Sequence, residues 1–181
     1  VDWLEGKSRV EVEAEGIELS LSIEGRKFIN SDGKTNMPSG EVFTSPVEDS
    51  LNGRIRFSYP SYQGGRVIDG IELTFRDGRV VEASAELGEE YLNNQLDIDE
   101  GARTIAEFAV GTNYAIDRVT GDTLFDEKVG GSMHLALGQG FPQAGGTNKS
   151  ILHWDMVTDM RNDSRITVDG ELLYENGKFV I

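Results

Sequence analysis

Polar and apolar residues alternate along much of the first half of the chain. Residues 8–14 (SRVEVEA) and 17–23 (IELSLSI) change face at every position, which is the period of a half-buried β-strand. Glu15-Gly16 between them is a hairpin turn. Residues 53–58 (GRIRFS) and 66–75 (RVIDGIELTF) continue the pattern. Asp77-Gly78 then joins Leu73-Thr74-Phe75 to Val80-Val81, and Asp-Gly suits a type I′ turn. The C-terminal end repeats the theme: Ile166-Thr167-Val168, a turn at Asp169-Gly170, Leu172-Leu173-Tyr174, a turn at Asn176-Gly177, and Phe179-Val180-Ile181.

Two stretches in the middle depart from this alternation. Residues 86–96 (ELGEEYLNNQL) and 98–109 (IDEGARTIAEFA) space their apolar residues as helices do. The second has Asp99 as a candidate N-cap and Glu100 in an acidic first turn. Residues 111–162 are rich in glycine and polar side chains. The sum is a single α+β domain over residues 1–181, dominated by antiparallel strands and hairpins, with one or two helices in the middle of the chain.

A chain of 181 residues can bury one real core. It contains no cysteine, which excludes disulfides and thiolate metal sites. Any metal must be held by carboxylates and imidazoles, a donor set suited to Zn²⁺, Co²⁺ or Mn²⁺. The net charge of −15, from 17 basic and 32 acidic residues, argues against nucleic acid as a partner, because phosphates require a basic footprint. Lysine is scarce, 6 against 11 arginines. That balance fits a halophilic protein with a hydrated carboxylate surface and, equally, an ordinary acidic one. No apolar run is long enough to span a membrane. The start, Val1-Asp2-Trp3-Leu4, has neither a signal-peptide pattern nor an initiator Met, so the expectation is a processed or excised cytoplasmic chain.

The chain has only two histidines, His134 and His153, and both lie in apolar runs. A lone histidine in such a setting is more often a satisfied core residue than a ligand. His153-Trp154-Asp155 changes that balance. In an extended segment residues i and i+2 share a face, so imidazole and carboxylate project together while the indole packs on the other side. Such a pair can bind one metal ion, or the acid can orient the imidazole; a purely structural hydrogen-bonded pair is an equal alternative for the isolated tripeptide. Glu41, after a turn and before Val42-Phe43, Glu107, between Ile105-Ala106 and Phe108-Ala109, and Glu127, in Leu124-Phe125-Asp126-Glu127-Lys128, sit in similarly apolar contexts. Burying a carboxylate is costly unless it is paired or bound to a cation. Each could instead be the solvated side of an amphipathic element.

Four blocks, NMPSGEVFTSP, GARTIAEFAVGTN, LFDEKVGGSMHLALG and GGTNKSILHWDM, occur in this order and resemble the motifs of the aminopeptidase T and aminopeptidase S family. The resemblance covers most of the chain. It implies an exopeptidase that removes N-terminal residues from peptides with a free N-terminus, using two divalent metal ions, Zn²⁺ or Co²⁺ with Mn²⁺ as a further option. By motif position the metal set would be Glu41, Glu107, His134, His153 and Asp155, with Glu127 as a further ligand or as a base beside the metals. Glu107 would bridge the ions, and Glu127 or Glu107 would carry the catalytic proton. Metal affinity would then fall as pH drops below about 6, where imidazoles protonate.

Two departures from the family pattern stand out. Members carry a tyrosine seven residues after the first motif histidine, implicated in stabilising the tetrahedral intermediate; here that position is Phe141, which has no hydroxyl. Tyr114, after Gly111-Thr112-Asn113, is a candidate replacement. The family's N-terminal α/β domain, which helps to enclose the site and to form a homodimer, is also absent, so the chain reads as an excised or separate C-terminal domain. A catalytically weak or inactive metal-binding domain serving as an assembly module is the competing reading.

Overall fold

The computed structural model describes residues 1–181. The strands are β1 (Arg9–Ala14), β2 (Ile17–Ser22), β3 (Ile29–Ser31), β4 (Glu41–Thr44), β5 (Asn52–Arg56), β6 (Ser61–Gln63), β7 (Arg66–Ile68), β8 (Glu72–Arg76) and β9 (Arg79–Ser84). They continue as β10 (Ile105–Gly111), β11 (Ser132–Gly138), β12 (His153–Asp159), β13 (Arg165–Val168), β14 (Glu171–Glu175) and β15 (Lys178–Phe179). Two short helices interrupt them, α1 (Glu89–Leu96) after β9 and α2 (Thr123–Asp126) after β10.

An eight-stranded antiparallel sheet runs β15-β14-β13-β1-β2-β5-β8-β9, and a five-stranded one runs β12-β11-β10-β4-β3. The alternation along β1 and β2 turns Val10, Val12, Ile17, Leu19 and Leu21 inward. Across the five-stranded sheet, Phe108, Val110, Met133, Leu135, Leu137, Trp154 and Met156 meet them in one core of 32 residues. The predicted α+β fold of antiparallel strands is the observed one. No helix is long and apolar enough to cross a membrane.

Three tight turns form as their dipeptides require. At Asp77-Gly78, Asp169-Gly170 and Asn176-Gly177 both central residues have positive φ, and the flanking residues pair directly, the geometry of a type I′ hairpin. The predicted strand over residues 66–75 is broken at Asp69-Gly70 into β7, which pairs only with β6, and β8.

The helix expected over residues 86–96 forms three residues later, as α1, since Leu87 instead bridges Asp69. The second helix, expected over residues 98–109, does not form. Asp99 accepts hydrogen bonds from Gly101 N, Ile151 N and Ser150 Oγ, so it ties a turn to a distant loop instead of capping a helix. Residues from Ile105 onward belong to β10, where the register slips: Ile105 pairs with Leu137 but Glu107 with Ala136. The extra residue, Ala106, is a β-bulge. It lets Ile105 and Phe108, three apart, both reach the core, and that three-residue spacing is what imitates a helix in the sequence. Glu107 therefore sits inside a strand, not at a helix end.

Candidate metal centre

The same register that sends Phe108, Leu135 and Trp154 into the core sends their neighbours to the opposite face. Along β10, β11 and β12, Glu107, Ala136 and Asp155 lie directly side by side, as do Ala109, His134 and Val157. His153 lies two residues before Asp155 on that face, and Glu41, opening β4, pairs with Gly111 of β10. The positions between the acids and imidazoles are thus Ala109, Gly111 and Ala136, which leave room for side chains to converge. Trp154 packs behind them, its Nε1–H donating to Ser61 Oγ at 2.7 Å; the predicted division of the His-Trp-Asp tripeptide between two faces is the one observed.

Gly40 places Glu41. It has φ of 122°, and a Cβ there would stand 2.7 Å from Asn113 Cβ, so the chain closes against β10 only with glycine. Glu127 arrives from outside the sheet, just past α2, whose start is capped by Asp122 Oδ1 accepting from Leu124 N. Buried Asp126 anchors that turn by accepting from Thr120 N, Thr120 Oγ1 and Gly121 N.

All six residues singled out in the sequence come together. Glu41, Glu107 and His134 form one triplet of donor atoms, Glu107, His153 and Asp155 a second, and Glu127, His134 and Asp155 a third. His134 is fully buried, and Glu41 and Glu107 are nearly so. His134 Nε2 lies 3.4 Å from Glu41 Oε2 and 3.6 Å from Glu107 Oε1, while His153 Nε2 lies 3.4 Å from Glu107 Oε2 and 3.5 Å from Asp155 Oδ1. These separations exceed a good hydrogen bond, and both His134 nitrogens and Asp155 Oδ1 have no hydrogen-bond partner. Two donors each ~2.1 Å from a tetrahedral ion stand roughly 3.4 Å apart. The donors therefore fit divalent cations in both chemistry and spacing. His153 Nδ1–H donates to the Gln139 carbonyl at 2.8 Å, the support that leaves Nε2 free as a ligand atom.

The electrostatics match a cluster of acids around two imidazoles. Burial opposes charging of His134, but Glu107, Glu41 and Asp155 outweigh it and raise its pKa to about 9. Burial likewise opposes charging of His153, and Asp155 with Glu107 lifts it to about 11. Burial pushes Glu127 up to about 7 with Asp155 adding to the effect, and pushes Glu41 upward despite His134 and Lys128. Asp155 is held low, the two histidines overcoming its burial. Proton competition for the imidazoles therefore begins well above the pH of about 6 that ordinary imidazoles suggest.

A cavity of about 460 Å³ opens onto these groups, lined also by Ile29, Asp32, Phe43 and Phe141. The Phe141 ring stands edge-on to His153 with centroids 5.0 Å apart and 5.1 Å from Phe43. Tyr114 cannot supply the missing hydroxyl, because its OH donates to the Gly177 carbonyl at 2.8 Å on the C-terminal hairpin. One participant escaped the sequence reading: Lys128, completely buried, pairs with Glu41 Oε1 at 2.9 Å and with Glu127 Oε1. Its only trace in the sequence is its place directly after Glu127.

The profile of the family described as thermophilic metalloprotease (M29) matches residues 1–179. Aminopeptidase 2 of Geobacillus stearothermophilus is 40% identical over 138 residues, covering 74% of this chain and 33% of its own. Aminopeptidase AmpS of Bacillus subtilis is 33% identical over 92% of this chain and 48% of its own. The solved structure of wild-type AmpT from Thermus thermophilus superposes with a TM-score of 0.82 at 30% identity, over 100% of this chain and 52% of that one. A 2,5-dihydroxypyridine dioxygenase from Pseudomonas putida, 18% identical with a TM-score of 0.77 over 99% of this chain and 56% of its own, shares the fold alone. This chain thus spans between a third and about half the length of these relatives. From the motif blocks, the convergent donors and the match along nearly its whole length, the chain belongs to the thermophilic metalloprotease (M29) family.

Proposed function

We propose that this chain is the metal-binding catalytic domain of a dinuclear aminopeptidase, the equivalent of the C-terminal part of its longer relatives. The observation that carries the reading is the convergence of two imidazoles and three carboxylates from β4, β10, β11 and β12 with donor atoms 3.4–3.6 Å apart. Glu41, Glu107 and His134 would hold one ion and Glu107, His153 and Asp155 the other, with Glu107 shared. Zn²⁺ or Co²⁺ suits this nitrogen and oxygen set, and Mn²⁺ is compatible with it. When bound, two such ions lower the pKa of water and polarise a scissile carbonyl.

The chain's own residues supply the rest. Glu127, with its pKa about 7, has the proton affinity of a group that takes a proton from water and returns it to a leaving amine near neutral pH. Glu107, if not fully engaged by the ions, is the alternative proton carrier. Gln139 orients His153 through its carbonyl. The acidic cavity attracts the cationic α-amine of a peptide, which favours exopeptidase over endopeptidase cleavage. A further domain or a second copy of the chain would cover this cavity, whose lining includes exposed Asp32. Phe141 against His153 favours the second reading, a metal-binding domain with weak or no turnover that serves assembly.

The test joins elemental analysis after Zn²⁺ or Co²⁺ loading with cleavage of peptides bearing free or acetylated N-termini. Two ions per chain and release of N-terminal residues only from free peptides support the enzyme. Two ions without cleavage support the assembly module, and failure to retain metal refutes both.

A further inference from the structure

Lys128 is a fully buried lysine whose four-carbon stem lies in the protein and whose ammonium touches two carboxylates. Buried lysines are rare, and breaking such a pair is far more costly than never having it. The surrounding backbone holds it in place: its carbonyl accepts from Asn113 N at 3.0 Å, and Asn113 and Val129 form a bridge at the end of β10. The two carboxylates it grips belong to different donor triplets, Glu41 with Glu107 and His134, and Glu127 with His134 and Asp155.

In each case only Oε1 is taken. Glu41 is left with Oε2, which faces His134 Nε2 at 3.4 Å. A carboxylate with one oxygen clamped can offer a cation only the other, so its binding mode is set beforehand. Lys128 adds one positive charge but stands against two negative ones, so the three side chains together remain net negative. Its repulsion of a cation opposes the gain from this preset geometry, and the zinc affinity of Lys128 variants reads which is larger.

We propose that Lys128 is a positioning residue of the metal centre: its ammonium presets Glu41 as a single-oxygen donor, holds Glu127 beside the site without making it a ligand, and thereby raises metal affinity. The inference rests on the metal-centre reading above. It assigns Lys128 no contact with substrate.

Zinc affinity measured by competition with a chromophoric chelator, on the full chain, tests it, alongside metal content and metal-free thermal unfolding. Lys128→Met is expected to weaken zinc binding by tenfold or more, and Lys128→Arg, which keeps a cation able to donate to two carboxylates, to recover part of the loss. Unchanged or tighter zinc binding in Lys128→Met overturns the proposal, whatever its thermal stability, because a purely structural lysine would lower the unfolding temperature without moving affinity. Should Lys128→Met not fold, Lys128→Gln, which keeps a donor amide, takes its place with the same expected loss. If both remain unfolded in saturating zinc, the residue serves the fold and the proposal falls. A wild-type chain that takes up no zinc refutes the metal-centre reading itself, an outcome separate from any variant.

Discussion

In the metal-free protein at pH 7 both imidazoles carry a proton, with pKa values of about 9 for His134 and about 11 for His153. A histidine ligand must be neutral, so ion binding there displaces those protons. Each displaced proton makes apparent affinity change tenfold per pH unit, or about 1.36 kcal/mol. Because each ion would take one histidine, each zinc binding constant should rise ~10-fold per pH unit between 6 and 8, and the product of the two constants ~100-fold, about 2.7 kcal/mol in all. Glu127, with a pKa near neutrality, adds a fraction of a proton if it too becomes a ligand. The slope of the product should halve above pH 9, where His134 is already neutral. Calorimetric zinc titrations at pH 7 in buffers of different ionisation enthalpy count the protons directly, and chelator competition at pH 6, 7 and 8 gives the affinity slope. Release of no protons, or an affinity that is flat over this range, would refute the assignment of the histidines as charged, acid-paired groups in the free protein. The same linkage fixes the sign for stability. A histidine whose folded pKa lies above 6.5 stabilises fully below that pH, and its contribution disappears as pH rises through the folded value. Metal-free protein is therefore expected to unfold more readily at pH 10 than at pH 7, and bound zinc to reverse that trend.

Glu107→Gln should abolish retention of both ions, because Glu107 is the one residue common to the first two donor triplets; Glu127→Gln should keep metal but lose most turnover, and elemental analysis of the two variants separates the roles. Ser61→Ala leaves the Trp154 indole N–H buried without its acceptor and should cost ~1–3 kcal/mol in urea unfolding with metal content unchanged; an unaltered midpoint would mean the bond contributes nothing. Phe141→Tyr adds a hydroxyl to a ring whose centroid lies 5.0 Å from that of His153. It should raise kcat by up to ~10²-fold with KM and metal content nearly constant, and no change in kcat would show that another group does this work.

The turns were legible in the sequence because their chemistry is local. An Asp-Gly or Asn-Gly pair reaches positive φ at both positions with little dependence on what lies around it. Alternation located most strands of the eight-stranded sheet, since one of its faces is buried and the other wet. The division of His153 and Asp155 from Trp154 followed from the two-residue period alone, and the motif order identified the six acids and imidazoles. The five-stranded sheet was harder to read. Strands β10 and β11 are buried on both faces along their whole length, so no alternation marks them, and the bulge at Ala106 spaced Ile105 and Phe108 like a helix. Only tertiary structure could decide that Ala109, Gly111 and Ala136 fall between the donors, that Tyr114 turns away to Gly177, and that Lys128 reaches from the end of α2 to Glu41, 87 positions earlier. Those outcomes depend on strand register and on contacts between residues far apart in the chain, neither of which leaves a mark in any local run of sequence.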